Sequence, residues 1–159
     1  MSLKVIWLTG LPCSGKTTLA NELQLKLGGH ILDGDEVRKG LCSDLDFSKE
    51  DRVENIRRVG EVAKIINGLV IVALVSPYKK SRDIVRDKFE VGEFIEVWVD
   101  CNLEECKRRD IKGMYAKWGV MTPLTPVYES PVSPEIHLKT DVKSISECID
   151  LICAYIKTR

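Results

Sequence analysis

The chain has 159 residues, enough for one domain with an adequate core, and it reads as a single domain over 1–159. Its 24 basic and 24 acidic residues balance, which removes the broad basic field a polynucleotide backbone needs; no apolar stretch is long enough to cross a membrane, and the N-terminal apolar run lacks a signal-peptide cleavage site. Six cysteines without a C-x-x-C pair, beside two histidines, argue against a zinc site and for a reduced, cytoplasmic protein.

Leu3 to Thr9 is an apolar, β-branched run and reads as a buried strand. Gly10-Leu11-Pro12-Cys13-Ser14-Gly15-Lys16-Thr17 follows, matching G-x-x-x-x-G-K-[ST], the phosphate-cradling loop. Thr18 to Leu27 then has helical spacing, with Leu19, Leu23 and Leu27 on one face and Gly28-Gly29 as the stop. Strand, glycine loop and helix form the context in which the motif binds phosphate. Gly10 and Gly15 permit backbone angles and close approaches that a side chain would block. Successive amides then point into one concavity, and the helix adds its positive N-terminal end. Lys16 reaches the β- and γ-phosphates and the Thr17 hydroxyl binds Mg²⁺, so the chain is expected to bind a nucleoside triphosphate with Mg²⁺. Cys13 lies in this loop, near Lys16 and a helix N-terminus, where a redox role and an inert loop position are both open.

His30 to Asp33 reads as a second strand. A helix begins near Ser48, a good N-cap, with acid in its first turn and a stripe of Val53, Ile56, Val59, Val62, Ala63 and Ile66. Leu69 to Val75 is unbroken and apolar, as in a central strand covered on both faces. A helix over Lys79 to Phe89, a strand over Phe94 to Val99, and a short helix from Asn102 to Arg109 come next. Residues 119–134 hold Pro123, Pro126, Pro131 and Pro134 and cannot be a regular helix. Ile136 to Lys139 reads as the last strand, and Ser144 with Glu147 forms a capping box for a final helix, in whose core Cys148 and Cys153 belong. The alternation predicts an α/β fold, a parallel five-stranded sheet with helices on both faces. Residues 110–130 read either as a lid that expels water during phosphoryl transfer or as a plain surface loop.

The loop occurs in switch GTPases, motors and small-molecule kinases. The chain has no N-K-x-D guanine reader; Lys139-Thr140-Asp141 is a fragment of that type. The central strand ends at Ser76 rather than at an acid, and Asp100, which ends a later strand, is equally placed to cap the helix after it. Asp33 and Asp35 flank Gly34 where the second strand ends, on the edge where such sheets bind ligands. They suit Mg²⁺ or an acceptor hydroxyl, and equally suit a turn. Arg38 follows them, while Arg52 and Asn55 share a face of the next helix, with Phe47 just before it. Planar cations beside an aromatic fit a substrate with an anionic group and a flat base. Arg57 and Arg58 read as a solvated face.

In these segments the chain resembles the adenylyl-sulfate kinases. GLPCSGKTT at 10–18, LDGDEVRKGL at 32–41, DFSKEDRVENIRRVGEVAK at 46–64 and VSPYKKSRDIVR at 75–86 carry the match, and FIEVWVDCNLEECKRRDIKGMY at 94–115 extends it. The resemblance implies a three-layer P-loop NTPase fold. It also implies transfer of the ATP γ-phosphoryl group to the ribose 3′-hydroxyl of adenylyl sulfate with Mg²⁺, and often a homodimer. It places ATP on Gly10, Ser14, Gly15, Lys16, Thr17 and Thr18, with Arg109 against the adenine. It places the acceptor on Asp35, Arg38, Arg52 and Asn55, with Phe47 stacked on the base. Asp33 is implied in metal or general-base work, and Ser76 in an acceptor contact, since in-line transfer makes a phosphoserine unnecessary.

The chain departs from the family in the loop, at Pro12 and Cys13, and in the lid. There Gly119, Met121, Pro123 and Thr125 stand where the family has Lys, Phe, Gly and Asp, and Met121 is expected to replace the second wall of the base sandwich. Base stacking on an aromatic contributes about 1–3 kcal/mol, so the change bears on the acceptor. Either the lid closes differently, or the acceptor is another nucleotide, such as the cytidine diphosphoramidate used by a relative in capsule synthesis. A non-catalytic nucleotide-binding module is the rival reading.

Overall fold

The computed structural model describes residues 2–110, 113–117 and 128–159. Five strands, β1 (Val5–Thr9), β2 (His30–Asp33), β3 (Val70–Leu74), β4 (Phe94–Asp100) and β5 (Ile136–Lys139), form one sheet in the order β2-β3-β1-β4-β5. Every pairing is parallel, with Val5 opposite Val70 on one side and Phe94 on the other. The carboxyl ends of all strands therefore share one edge, and the phosphate loop leaves β1 there.

Strand alternation divides the core. Ile6 and Leu8 face one side and pack with Leu19 and Leu23 of α1 (Lys16–Leu27) and with Cys148, Ile152 and Cys153 of the C-terminal helix (Ile145–Lys157). Val5 and Trp7 face the other, packing with Val37 of α2 (Gly34–Lys39), Ile56, Val59 and Ala63 of α3 (Lys49–Ile65), and Val85 of α4 (Lys79–Arg86). This is the three-layer α/β/α arrangement expected. Each fully buried Val, Leu or Ile among them contributes roughly 1.5–3 kcal/mol against leaving it in water. In chain order α5 (Leu103–Arg108) and α6 (Met114–Lys117) follow β4, so the C-terminal helix is α7.

The capping residues act as their types dictate. Ser48 accepts from the Asp51 amide, Asn102 from Glu105, and Ser144 with Glu147 closes a full capping box. Boundaries depart from expectation in a few places. β1 begins at Val5, α1 begins at Lys16, and α4 ends at Arg86 with a turn carrying Lys88 and Phe89. Asp100 does not cap α5. Its carboxylate is hydrogen-bonded to His137 Nε2 at 2.8 Å, and Asn102 takes the cap.

Two expectations need larger correction. Asp33-Gly34-Asp35 is no bare turn: Asp33 is the N-cap of α2, its Oδ1 accepting the Asp35 amide at 3.0 Å. Val53 is not in the core stripe of α3 but 37% exposed, and Arg52 and Asn55 are buried instead. The buried face of α3 runs through Arg52, Asn55, Ile56, Val59, Gly60 and Ala63. Helical periodicity holds, but its N-terminal part is polar because it faces a cavity rather than the core. Most of the expected lid, including Gly119, Met121, Pro123 and Thr125, lies outside the described residues.

Candidate active site

The phosphate loop is shaped by two glycines with different tasks. A Cβ on Gly10 would lie 2.3 Å from the Val99 carbonyl oxygen of β4, so only glycine lets the loop leave the sheet there. Gly15 has φ 108°, a left-handed angle that turns the chain into α1. No side chain caps α1, so its first-turn amides stay directed at the loop concavity. Gly10, Ser14, Gly15, Lys16, Thr17 and Thr18 are thus one continuous cradle. The Lys16 ammonium folds back into it, donating to the carbonyls of Gly10 (2.9 Å) and Leu11 (2.7 Å). Burial lowers its pKa to about 8, with Cys106, Cys13, Asp33 and Asp35 pulling weakly in the opposite direction.

Beside the cradle, Thr17 Oγ1 donates to Asp33 Oδ2 at 2.6 Å. One Asp33 oxygen therefore caps α2 and the other meets the phosphate-loop hydroxyl. Two hard oxygen ligands, brought together at the mouth of a phosphate cradle, fit Mg²⁺, which takes one or two protein oxygens and completes its octahedron with phosphate and water. Among the described residues no group of three or more His, Cys, Asp or Glu could hold an ion by itself.

A cavity of about 130 Å³ opens next to this point, between α2, the first turns of α3 and the end of β3. Asp35, Arg38, Phe47, Arg52, Asn55 and Ser76 all line it, although α2, the loop before α3, α3 itself and the segment after β3 supply them separately. The Arg38 guanidinium sits 4.4 Å from the Phe47 ring centroid and that of Arg52 6.0 Å. Arg38 also donates to the Asp46 carbonyl at 3.2 Å, which fixes the loop carrying Phe47. Asn55 is 4% exposed, and its Nδ2 is a buried donor without a partner among the described residues. A buried amide N–H is seldom left unpaired, and an unpaired one on a cavity wall marks where a polar ligand group belongs. Arg57 is exposed and paired with Glu54, whereas Arg58 is half-buried, paired with Glu54 and Asp44 and donating to the Leu41 carbonyl at 3.0 Å.

Ser76 lines the cavity, but its hydroxyl points into the body of the protein. Its Oγ accepts from Trp7 Nε1 (3.1 Å) and donates to Thr9 Oγ1 (2.9 Å), and the residue holds a left-handed φ of 42°. Arg109 lies over the phosphate loop: its Nη2 donates to the Thr140 carbonyl (2.6 Å), Nε to Glu105 (3.0 Å), and Nη1 to Ser14 O (3.4 Å). Cys13, at φ 65°, directs its thiol to Asp110 Oδ1 at 3.7 Å. Met121 lies outside the described residues.

Several residues were not singled out from the sequence. Thr140 donates to Ser14 O at 2.6 Å and so ties the end of β5 to the phosphate loop. Arg82, 1% exposed, donates to Glu96, to Ser76 O (2.6 Å) and to Glu129 O (2.6 Å). Tyr128 places its hydroxyl 3.0 Å from Thr9 Oγ1, and Met114 lines the cavity. For Thr140 a signal existed: it directly follows a strand at the ligand-binding edge. Arg82 gave none, since its partners are remote in sequence.

A phosphate cradle opening onto a second, cationic and aromatic cavity defines a P-loop kinase, one that brings a triphosphate and an acceptor together. A family model described as adenylylsulphate kinase matches residues 2–139. The adenylyl-sulfate kinase of Marinobacter nauticus is 49% identical over 168 residues, covering 98% of this chain and 84% of that one. The probable adenylyl-sulfate kinase of Halalkalibacterium halodurans is 47% identical over 165 residues, covering 96% and 82%. Among solved structures, the Mycobacterium tuberculosis APS kinase CysC in complex with AMPPNP and APS has a TM-score of 0.88 at 35% identity, over 98% of both chains. The chain belongs to the adenylylsulphate kinase family.

Proposed function

We infer that the chain is an ATP-dependent adenylyl-sulfate kinase, one domain over 1–159, that transfers the γ-phosphoryl group to the ribose 3′-hydroxyl. The observation that carries this is the convergence of Asp35, Arg38, Phe47, Arg52 and Asn55 on one cavity beside the phosphate loop. A flat base fits against Phe47, and the guanidinium groups match the anionic sulfate and phosphate. No observation favours cytidine diphosphoramidate or a non-catalytic module.

The two acids divide the work. Asp33, with both oxygens engaged by the Asp35 amide and the Thr17 hydroxyl, belongs with Thr17 to the Mg²⁺ site. Held by Thr17 and Asp33, Mg²⁺ would supply neutralisation of the charge on the phosphates. Asp35 lines the acceptor cavity and takes the proton of the 3′-hydroxyl. That oxygen forms its bond to the γ-phosphorus as the bond to the β–γ bridging oxygen breaks, and ADP leaves with the electron pair. Lys16 exchanges its loop carbonyls for phosphate oxygens, and it and the loop amides stabilise charge on the transferred group. Arg109 covers the adenine, and residues 110–130 form the lid. Homodimerisation and a cytoplasmic location complete the proposal; among the described residues no helix is long and apolar enough to cross a membrane.

The test is ATP consumption by the full chain with Mg²⁺, with adenylyl sulfate, with cytidine diphosphoramidate and with neither, the products read by chromatography and the mass in solution by light scattering. Formation of 3′-phosphoadenylyl sulfate is expected, dependent on acceptor. Acceptor-independent hydrolysis, or preference for the cytidine compound, would contradict the reading.

A further inference from the structure

We propose that Met114 is the apolar wall that works with Phe47 to hold the acceptor base, and that Asp110, by its carboxylate, and Tyr115, by its bond to the phosphate loop, fix it there. The inference rests on the acceptor reading of the cavity given above. Among the described residues, every other lining group comes from Gly34 to Pro77, and Met114 alone comes from beyond β4. It is half-buried and enters from α6, a separate segment from the one that carries Phe47.

Met114 is held by its backbone on a built support. The Asp110 carboxylate accepts the Met114 amide on Oδ1 and the Tyr115 amide on Oδ2, both at 2.8 Å. Gly113, at φ 65°, provides the turn that brings those two amides back onto Asp110. Tyr115 then donates its hydroxyl to the Pro12 carbonyl at 2.7 Å. The start of α6 is therefore anchored twice, on the turn after α5 through Asp110 and on the phosphate loop through Pro12. A methionine suits the wall chemically: its thioether is polarisable, lies well against flat π-systems, and adapts its rotamers to the ring it meets. This support also joins the two substrate sites, because Pro12 belongs to the loop that cradles ATP.

Steady-state kinetics of the full chain with ATP, Mg²⁺ and adenylyl sulfate test this. Wild-type turnover comes first: if adenylyl sulfate is not phosphorylated, it is the kinase reading that fails, whatever the variants do. Given turnover, Met114→Ala is expected to raise the acceptor KM roughly tenfold, with the KM for ATP held within about twofold. Met114→Leu, of similar volume, restores the acceptor KM to within about threefold of wild type. Tyr115→Phe, which removes the hydroxyl that bonds Pro12 and also meets Cys106, raises the acceptor KM by a smaller factor. An unchanged acceptor KM in Met114→Ala, or a parallel rise of both KM values, overturns the proposal. So does a Met121→Ala variant that raises the acceptor KM while Met114→Ala leaves it alone.

Discussion

Thr17 of α1 and Asp33 at the end of β2 are joined by a 2.6 Å hydrogen bond, while the other oxygen of the same carboxylate caps α2. The two roles can be separated. Asparagine is as good an N-cap as aspartate but lacks the charge. Asp33→Asn is therefore expected to keep the melting temperature and lower kcat by about 10²–10³-fold, as for loss of one preorganised electrostatic group. Calorimetry with kinetics checks this; a normal kcat at saturating Mg²⁺ would remove Asp33 from the metal site.

Lys16 predicts a proton linkage. With its pKa lowered to about 8 by burial, the ligand-free protein holds this ammonium only half-protonated near pH 8. A bound triphosphate brings negative charge beside it and restores full protonation. ATP binding at pH 8 should take up about half a proton, and affinity should fall as pH rises further. Titration calorimetry in buffers of different ionisation enthalpy reads this directly, and buffer-independent heats would contradict it. For stability the sign is opposite. The unfolded chain keeps the proton up to its ordinary 10.5 while the folded chain releases it near 8, so this group makes ligand-free stability rise with pH between those values.

Asn55 separates binding from stability. Its Nδ2 has no partner to lose among the described residues, so Asn55→Ala is expected to shift unfolding free energy by no more than about 1 kcal/mol. Adenylyl sulfate binding should weaken roughly tenfold or more, the range for losing one ligand hydrogen bond in a buried site. Denaturant unfolding and equilibrium binding on the same sample decide; a large stability loss with intact binding would mean the amide serves the fold.

Ser76 gives the converse. Removing its hydroxyl strands the buried Trp7 Nε1, while Thr9 Oγ1 keeps the Val75 carbonyl and the Tyr128 hydroxyl, so Ser76→Ala should destabilise by about 1–3 kcal/mol. Turnover should persist, because the hydroxyl faces away from the acceptor. Abolished turnover in a folded variant, with a phosphoserine trapped in the wild type, would restore a covalent role.

The strands and the phosphate loop were legible because their signals are local. A parallel strand buried on both faces must be largely apolar, and β3 is so throughout and β1 up to its last residue, Thr9. Ser48, Asn102 and Ser144 declared the starts of α3, α5 and α7 through hydrogen bonds spanning three residues. Helix α2 was hidden because Asp-Gly-Asp serves a turn and a helix N-terminus with the same side-chain bond. Val53 was misplaced because hydrophobicity alone cannot tell a core face from one that lines a polar cavity, and Arg52 and Asn55 hold that face.

From its sequence alone the chain determined a triphosphate-binding α/β protein, since glycine geometry, strand composition and capping chemistry act between near neighbours. The family resemblance added which polar residues belong together. Only tertiary structure decided that Asp35, Arg38, Phe47, Arg52 and Asn55 meet at one cavity, that the Ser76 hydroxyl turns to Trp7, and that Met114 reaches the same wall. Those contacts join strands and helices tens of residues apart, and they depend on the sheet order β2-β3-β1-β4-β5, which no local pattern encodes.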